Sequence, residues 1–147
     1  MSLRSLPVLI LLLLPYFLKG QGYSYTHYDI QHGLAGSTVY CMLQDEQGFM
    51  WFGTETGVSR FDGVHFKNLT TFDGLPDNQV LEIFQDSRGR IWMAPFNKSV
   101  CYYYKGKIFN QQNDPVLMKI RLSGHIVNFS EDKQGNVIMQ QVASMHV

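Results

Sequence analysis

A tandem repeat with a period of 41 residues constrains the fold of this chain more than any other feature. The first copy contains Gly33-Leu34, Val39, Asp45, Gly48 and Trp51, and the same residue types recur at Gly74-Leu75, Val80, Asp86, Gly89 and Trp92. A third, degenerate copy keeps Asp132 and Gly135 and has Ile138 in place of the tryptophan. Because a repeat of this length is one supersecondary unit that packs on its neighbours, the sequence predicts a stack of similar units.

The residues within one copy alternate with the period of two that is typical of short antiparallel strands. Two sets are predicted to face opposite ways, Val39, Cys41 and Leu43 against Tyr40, Met42 and Gln44. An Asp-x-x-Gly turn follows in every copy, since an aspartate accepts backbone N–H bonds two residues ahead and glycine tolerates a positive φ. Further strands are predicted at residues 49–53, 58–61 and 65–69, with a hairpin turn at Asp62-Gly63.

Four strands in about 40 residues are typical of one blade of a β-propeller. We therefore predict an all-β fold, a partial β-propeller of about two and a half four-stranded antiparallel blades. Toward the end of the first two copies, the spacing between matching residues increases to 43, since Gly63 and Phe66 recur as Gly106 and Phe109. This change predicts two inserted residues in the second copy.

The motif of the first copy resembles the two-component regulator propeller repeat. The resemblance rests on Gly33-Leu34, Asp45-Glu46-Gln47-Gly48-Phe49-Met50-Trp51-Phe52-Gly53-Thr54, Gly57-Val58 and Arg60-Phe61-Asp62-Gly63. The second copy departs from it at Met93-Ala94-Pro95 and at Lys105-Gly106. The resemblance implies the periplasmic sensor region of Bacteroidetes histidine kinases. Full-length relatives continue into further blades, a sandwich domain, one inner-membrane span and a cytoplasmic kinase, and the resemblance implies that they work as homodimers.

The chain is predicted to contain five segments. Residues 1–22 are a predicted signal peptide, since Arg4 precedes an apolar run and Gly20 and Gly22 fit a cleavage site. The run is too short to span a bilayer, so a periplasmic or extracellular location is expected. The other segments are an N-terminal outer strand (23–32), blade 1 (33–72), blade 2 (73–115) and an incomplete, degenerate blade 3 (116–147).

Two blades and part of a third cannot close a ring of at least four blades. The sequence therefore predicts an N-terminal fragment of a longer sensor, whose remaining blades are the expected partners. Uncovered blade faces and an unpaired outer strand also predict that residues 23–147 alone aggregate or oligomerise.

The charges argue against a nucleic-acid partner, because 12 basic and 12 acidic side chains balance and the basic ones are dispersed. The sequence shows no catalytic set, no phosphate-binding loop and no paired histidines, so no catalytic residue, cofactor or metal site is predicted. Asp45, Asp86 and Asp132 are interpreted as turn residues, because equivalent corners of separate blades suit neither a carboxylate pair nor a calcium loop.

Few side chains are candidates for contact with a ligand. Trp51 and Trp92 are interpreted as packing between blades, with sugar stacking as the alternative. Tyr102, Tyr103 and Tyr104 stand where the first copy has Arg60-Phe61-Asp62, and strand alternation sends at least one of these rings outward. They are the candidate contact residues. Cys41 and Cys101 form an even pair in an oxidising compartment, which permits a disulfide without requiring one.

The sequence thus predicts a non-enzymatic, ligand-sensing module of a two-component sensor histidine kinase. The resemblance implies a periplasmic glycan or small molecule as the ligand. The alternative is a secreted carbohydrate-binding propeller or a propeller lyase.

Overall fold

The computed structural model describes residues 24–143, and nearly all regular structure in this range is β. Blade 1 consists of β1 (Val39–Gln44), β2 (Met50–Thr54), β3 (Val58–Phe61) and β4 (Phe66–Leu69). Blade 2 consists of β5 (Val80–Gln85), β6 (Ile91–Pro95), β7 (Cys101–Tyr104) and β8 (Lys107–Phe109). A third sheet contains β9 (Gly124–Glu131) and β10 (Val137–Ala143). Short 3₁₀ helices span Ile30–His32, Thr71–Asp73 and Leu117–Lys119.

Each sheet is an antiparallel meander in which neighbours in sequence are neighbours in space. The first strands of both blades carry a register shift at the same point, between Val39 and Cys41 in β1 and between Val80 and Glu82 in β5. This architecture confirms the predicted all-β fold of four-stranded antiparallel blades. No helix within residues 24–143 is long and apolar enough to cross a membrane.

The Gly-Leu pair that opens each of the first two copies ends a 3₁₀ turn. Gly74 has a φ of 107°, a value that residues with a Cβ rarely adopt, and its N–H donates to the Thr71 carbonyl oxygen. The Leu75 N–H donates to the Thr70 carbonyl oxygen (3.2 Å), and the Leu75 side chain enters the core. The repeated pair therefore turns the chain from the last strand of one blade toward the first strand of the next.

Apolar cores fill the spaces between successive sheets. The core between blades 1 and 2 comprises Trp51, Val58, Leu69, Leu75, Val80, Ile83, Ile91, Met93, Cys101 and Ile108. The core between blade 2 and the third sheet comprises Trp92, Ala94, Val100, Leu117, Ile126 and Phe129. Each tryptophan thus packs toward the following sheet, and burial of these side chains holds the sheets together.

A repeated hydrogen bond joins the turns of successive sheets. The Glu46 N–H donates to Gln85 Oε1 of blade 2 (2.9 Å), and the Ser87 N–H donates to Glu131 Oε2 of the third sheet (2.8 Å). Gln85 and Glu131 both directly precede the turn aspartate of their own copy. We call these two contacts the inter-blade latches.

Blade 2 covers one face of blade 1 closely. A Cβ on Gly53 would lie 2.7 Å from the Val80 carbonyl oxygen, so the two backbones meet where only glycine fits. Val80 is fully buried there, whereas Val39 at the equivalent position of blade 1 is 36% exposed. The face of blade 1 that bears Val39 is therefore partly open to solvent within the described residues.

The predicted outer strand, residues 23–32, stays a prediction, because the blade that would pair with it is not among the described residues. Residues 24–29 pair with no strand of the described chain, and residues 30–32 form a 3₁₀ helix. A strand needs a ladder partner, whereas the Tyr28 ring instead packs on the rings of Phe61 (4.9 Å) and Phe66 (5.6 Å). The predicted signal peptide at residues 1–22 lies outside the described residues, as do residues 144–147.

The prediction of two inserted residues in the second copy is wrong. Trp51 pairs with Arg60 and Trp92 pairs with Tyr102, so the third strands are related by 42 positions and only one residue is inserted. Gly63 and Gly106 are not equivalent residues, because they occupy different positions in their turns. Gly106 follows Lys105, and both have positive φ as in a type I′ turn, whereas Gly63 directly follows Asp62.

Candidate functional site: a cleft between the first two blades

The turn aspartate of blade 1 anchors the tryptophan of the same blade. Asp45 Oδ1 accepts the backbone N–H groups of Gln47 and Phe49, each at 2.9 Å. Its other oxygen, Oδ2, accepts the indole N–H of Trp51 at 2.7 Å. Asp45 therefore closes the turn and satisfies the polar atom of a tryptophan that is only 1% exposed.

The other copies show how far this arrangement is repeated. Asp86 accepts the backbone N–H of Arg90 (2.9 Å) and the indole N–H of Trp92 (2.8 Å). In the third copy no tryptophan is present, and Asp132 Oδ2 accepts a hydrogen bond from Asn136 Nδ2 (2.9 Å) instead. All three aspartates bond within their own turns, and these turns belong to separate sheets.

Asp86 is an ionised carboxylate in a buried setting. Burial acts to raise the pKa of Asp86, but hydrogen bonds from Trp92 and Arg90 and the Arg90 charge outweigh it. The pKa of Asp86 is therefore held below its ordinary value of 3.8.

In blade 1 an arginine lies over the aromatic rings beside the tryptophan. The Arg60 guanidinium is 4.4 Å from the Phe49 ring centroid, 5.8 Å from Trp51 and 6.0 Å from Tyr103 of blade 2. Arg60 Nη1 donates to the Tyr103 hydroxyl oxygen at 3.3 Å. Arg60 forms no ion pair with any carboxylate among residues 24–143.

In blade 2 a second arginine takes part in a similar stack. The Arg90 guanidinium lies 4.8 Å from the Trp92 ring and 5.3 Å from the Tyr102 ring. Unlike Arg60, Arg90 has a carboxylate partner, since its Nε donates to Asp86 Oδ2 at 2.5 Å. The positive charge of this second stack is therefore neutralised inside the protein.

The first of the three candidate tyrosines faces the third sheet. The Tyr102 ring packs on Trp92 and Phe109, with centroids 5.0 Å away in both cases. Its hydroxyl donates to Asp114 Oδ2, and burial together with this carboxylate raises the pKa of Tyr102 to about 12. Tyr102 is therefore engaged in packing on the side away from blade 1.

The other two tyrosines lie at the boundary between blades 1 and 2. The Tyr103 ring packs on Trp51 of blade 1 at 5.1 Å. Tyr104 is half-buried, and the ammonium group of Lys105 lies 5.1 Å from its ring centroid. The structure thus brings Tyr103 and Tyr104 into the lining of one cleft, whereas the Tyr102 ring packs toward the third sheet.

Tyr103 and Tyr104 line a cleft of about 370 Å³ between the turns of blades 1 and 2. This volume lies in the range of small-molecule sites. The cleft is lined by Asp45, Gln47, Trp51, Arg60, Gln85, Arg88, Gly89, Ile91, Tyr103, Tyr104, Lys105 and Gly106. Both blades contribute to this surface, so a bound molecule would contact both. The cleft is the candidate functional site.

The two cysteines belong to the core between blades 1 and 2 and are free thiols. Burial, with a smaller contribution from the Glu82 charge, raises the pKa of Cys41 to about 12. Burial alone raises the pKa of Cys101. Because both thiols are protonated near neutral pH, they are poor nucleophiles. Within the described range, no group of three or more His, Cys, Asp or Glu side chains is arranged to hold a metal ion.

The sequence interpretation did not single out Arg60 or Lys105 of this site as a candidate contact residue. Arg60 entered it only as part of the repeat motif and as a counterpart of the three tyrosines. The signal for its position is the strand pairing that sets it directly opposite Trp51. That pairing could have been read from the sequence by counting back from the hairpin turn at Asp62-Gly63.

Residues 33–56 and 74–97 match the family described as two component regulator propeller. The chain carries two-component regulator propeller repeats. Each matched segment begins at a Gly-Leu pair and ends shortly after the second strand of its blade, so it includes the turn aspartate and the tryptophan. Arg60 and the tyrosines of the cleft lie outside the matched segments. No curated protein matches the sequence of the chain.

Solved structures with the same fold come from B. thetaiotaomicron. The extracellular domain of BT3049, described as a hybrid two component system, has a TM-score of 0.61 and 22% identity, covering 78% of this chain and 16% of that one. The extracellular domain of BT4673, described as a one component system, has a TM-score of 0.63 and 19% identity, covering 81% and 16%. These likenesses show that the chain has the propeller fold. The chain spans 16% of the length of each of these two neighbours.

Proposed function

We propose that this chain is part of an exported propeller that senses a ligand outside the cytoplasm and controls a two-component histidine kinase. The observation that carries the proposal is the match of residues 33–56 and 74–97, the first two strands of each blade, to the two-component regulator propeller repeat. The extracellular origin of the two solved neighbours and the predicted signal peptide support the same location. In the longer protein, further blades complete the ring and the kinase lies beyond a membrane span.

The inter-blade cleft supports a sensing role, because side chains from both blades line it. A molecule bound there contacts blade 1 through Arg60 and blade 2 through Tyr103 and Tyr104. Binding favours whichever arrangement of the two blades fits the ligand best, and a ligand can shift an equilibrium only through such differential contact. Sensing therefore requires no chemistry at the cleft.

The chain itself is proposed to catalyse nothing. Asp45, Asp86 and Asp132 are engaged in the hydrogen bonds of their own turns, and these turns lie on three different sheets. Lyase chemistry needs a base and an acid that converge on one substrate. The carboxylate in the cleft, Asp45, already accepts three hydrogen bonds.

The proposal is tested in the source bacterium by deleting the whole gene and growing the strain on a panel of extracellular glycans and small organic acids. We expect at least one compound to induce transcription of specific genes in the wild type, and we expect the induction to disappear in the deletion strain and return on complementation. Identical transcript profiles in the two strains on every compound would contradict the sensor role. New reducing ends, released by the purified protein from a polysaccharide, would favour the lyase alternative.

A further inference from the structure

Arg60 is a half-buried cation that lacks a counter-ion among the described residues. A guanidinium has five N–H donors, and the hydrogen bond of Arg60 in this structure is the one to the Tyr103 hydroxyl. The rings of Phe49, Trp51 and Tyr103 fix its position. Partly desolvated charges are unfavourable unless they are paired, so this cation is poised to receive an anion.

The surroundings of Arg60 favour an anion. Lys105 also lines the cleft and adds a second positive charge. The one carboxylate in the lining, Asp45, has both oxygens occupied by its turn and by Trp51. Arg88 contributes to the wall, but its guanidinium lies toward Gly135 of the third sheet. Arg60 and Lys105 therefore set the charge that an incoming ligand meets.

We propose that the cleft between blades 1 and 2 binds an oxyanion group, a carboxylate or a sulfate, of the ligand, and that Arg60 pairs directly with it. This inference rests on the proposed sensing function and names the chemical class of its ligand. A guanidinium fork matches the spacing of carboxylate oxygens and can donate two hydrogen bonds at once. The Tyr104 ring and the Lys105 ammonium at the rim contact the rest of the molecule.

The two copies differ on the third strands that line the cleft. The family match covers residues 33–56 and 74–97, so it includes the turn aspartate and the tryptophan of each copy. The third strands add Arg60, Tyr103 and Tyr104 to the cleft. In blade 2 the residue that pairs with the tryptophan is Tyr102 and not an arginine.

The test measures binding of four sugars that share one ring and differ at carbon 6. The probes are sodium glucuronate, glucose 6-sulfate, methyl glucuronate ester and glucose. Saturation-transfer NMR on the full chain is suitable because it reports binding whatever the oligomeric state. We expect one of the two anions to bind roughly 10- to 100-fold more tightly than both neutral sugars, since charged hydrogen bonds contribute on this scale. The preferred anion distinguishes carboxylate from sulfate.

Variants connect the binding to Arg60. Arg60→Met keeps an apolar stem against Phe49 but removes the charge, and it should lose the whole preference for the anion. Arg60→Lys should keep part of the preference, because it retains the charge without the fork. Lys119→Met removes an exposed cation outside the cleft and should leave binding unchanged.

Three results would overturn the inference: equal binding of charged and neutral sugars, unchanged anion preference in Arg60→Met, or no binding of any probe. None of these results would change the outcome expected in the transcription test of the sensing function. Conversely, anion binding at Arg60 combined with unchanged transcription in the deletion strain would overturn the sensing function alone.

Discussion

Blades 1 and 2 build the same three-part stack of tryptophan, arginine and aromatic ring with two positions exchanged. Blade 1 has Phe49 four residues after its turn aspartate and Arg60 opposite its tryptophan. Blade 2 has Arg90 after the aspartate and Tyr102 opposite the tryptophan. The exchange preserves the cation–π contacts in both blades, with an arginine 4.8 to 5.8 Å from each indole.

The exchange nevertheless changes the charge state of the two stacks. Arg90 directly follows its turn and pairs with the aspartate carboxylate, whereas Arg60 on the third strand forms no ion pair with Asp45. Arg90 is therefore paired and structural, and Arg60 is left to face the cleft. Position within the repeat thus decides whether an arginine stabilises the fold or is available for a ligand.

Removal of the turn aspartates should give the largest difference in stability between the two blades. Asp86→Ala leaves Arg90 without a partner and the Trp92 indole unsatisfied, so the free energy of opening of the blade 2 turn should fall by about 3–5 kcal/mol. Asp45→Ala leaves no cation without a partner, so the opening free energy of the blade 1 turn should fall by only about 1–3 kcal/mol. Hydrogen exchange of turn peptides, read by mass spectrometry, measures both. Equal losses in the two blades would contradict the difference.

Low pH should destabilise blade 2, as Asp86→Ala does. The folded-state pKa of Asp86 lies below its ordinary value of 3.8, so the unfolded chain binds the proton more readily. Its contribution is present above pH 3.8 and is lost as the pH falls through the lower, folded pKa. In Trp51→Phe, the fluorescence of Trp92 alone should report this transition, and Asp86→Asn should abolish it. A transition unchanged by Asp86→Asn would assign it to another group.

Substitution of the two arginines separates a structural charge from a free one. Arg90→Met should lower the opening free energy of blade 2 by about 1.5–3 kcal/mol, the usual contribution of a hydrogen bond to a charged group. Arg60→Met should cost blade 1 about 0.5–1 kcal/mol, the scale of a partly exposed cation–π contact. The same hydrogen-exchange experiment provides the readout, and a larger loss at Arg60 would show that it is structural.

The inter-blade latches should give the smallest effects. Glu131→Ala removes the acceptor of both the Ser87 N–H and the Ser87 hydroxyl, and it should cost about 1 kcal/mol. Gln85→Ala removes the acceptor of the Glu46 N–H alone and should cost about 0.5 kcal/mol. Hydrogen exchange at the Glu46 and Ser87 amides measures each latch separately. No change in either amide would show that the apolar cores alone hold the turns together.

The repeat made most of the fold predictable from the sequence. The spacing of Asp45 and Asp86 located the turns, and alternation located the strands, because both signals are local. The extra residue in the second copy was misjudged because Gly63 and Gly106 occupy different turn positions. The outer strand stays a prediction, because a strand depends on a partner, and none of the described sheets provides one for residues 24–29.

The candidate site was only partly predictable. Alternation indicated that the three tyrosines divide between two faces, but it could not tell which face of β7 lies on blade 1. Arg60 was visible in the sequence, but its lack of a counter-ion was not. Such a property depends on distances between strands, which a one-dimensional pattern does not contain.

The difference between the two arginines is tested most directly by the NMR signals of their side-chain Nε–H groups in ¹⁵N-labelled protein. Arg60→Lys and Arg90→Lys assign the two signals. On addition of sodium glucuronate or glucose 6-sulfate, the account predicts that the Arg60 signal shifts with saturation while the Arg90 signal, bonded to Asp86, stays in place. A shift of the Arg90 signal as large as that of Arg60, or binding with no change at Arg60, would contradict it.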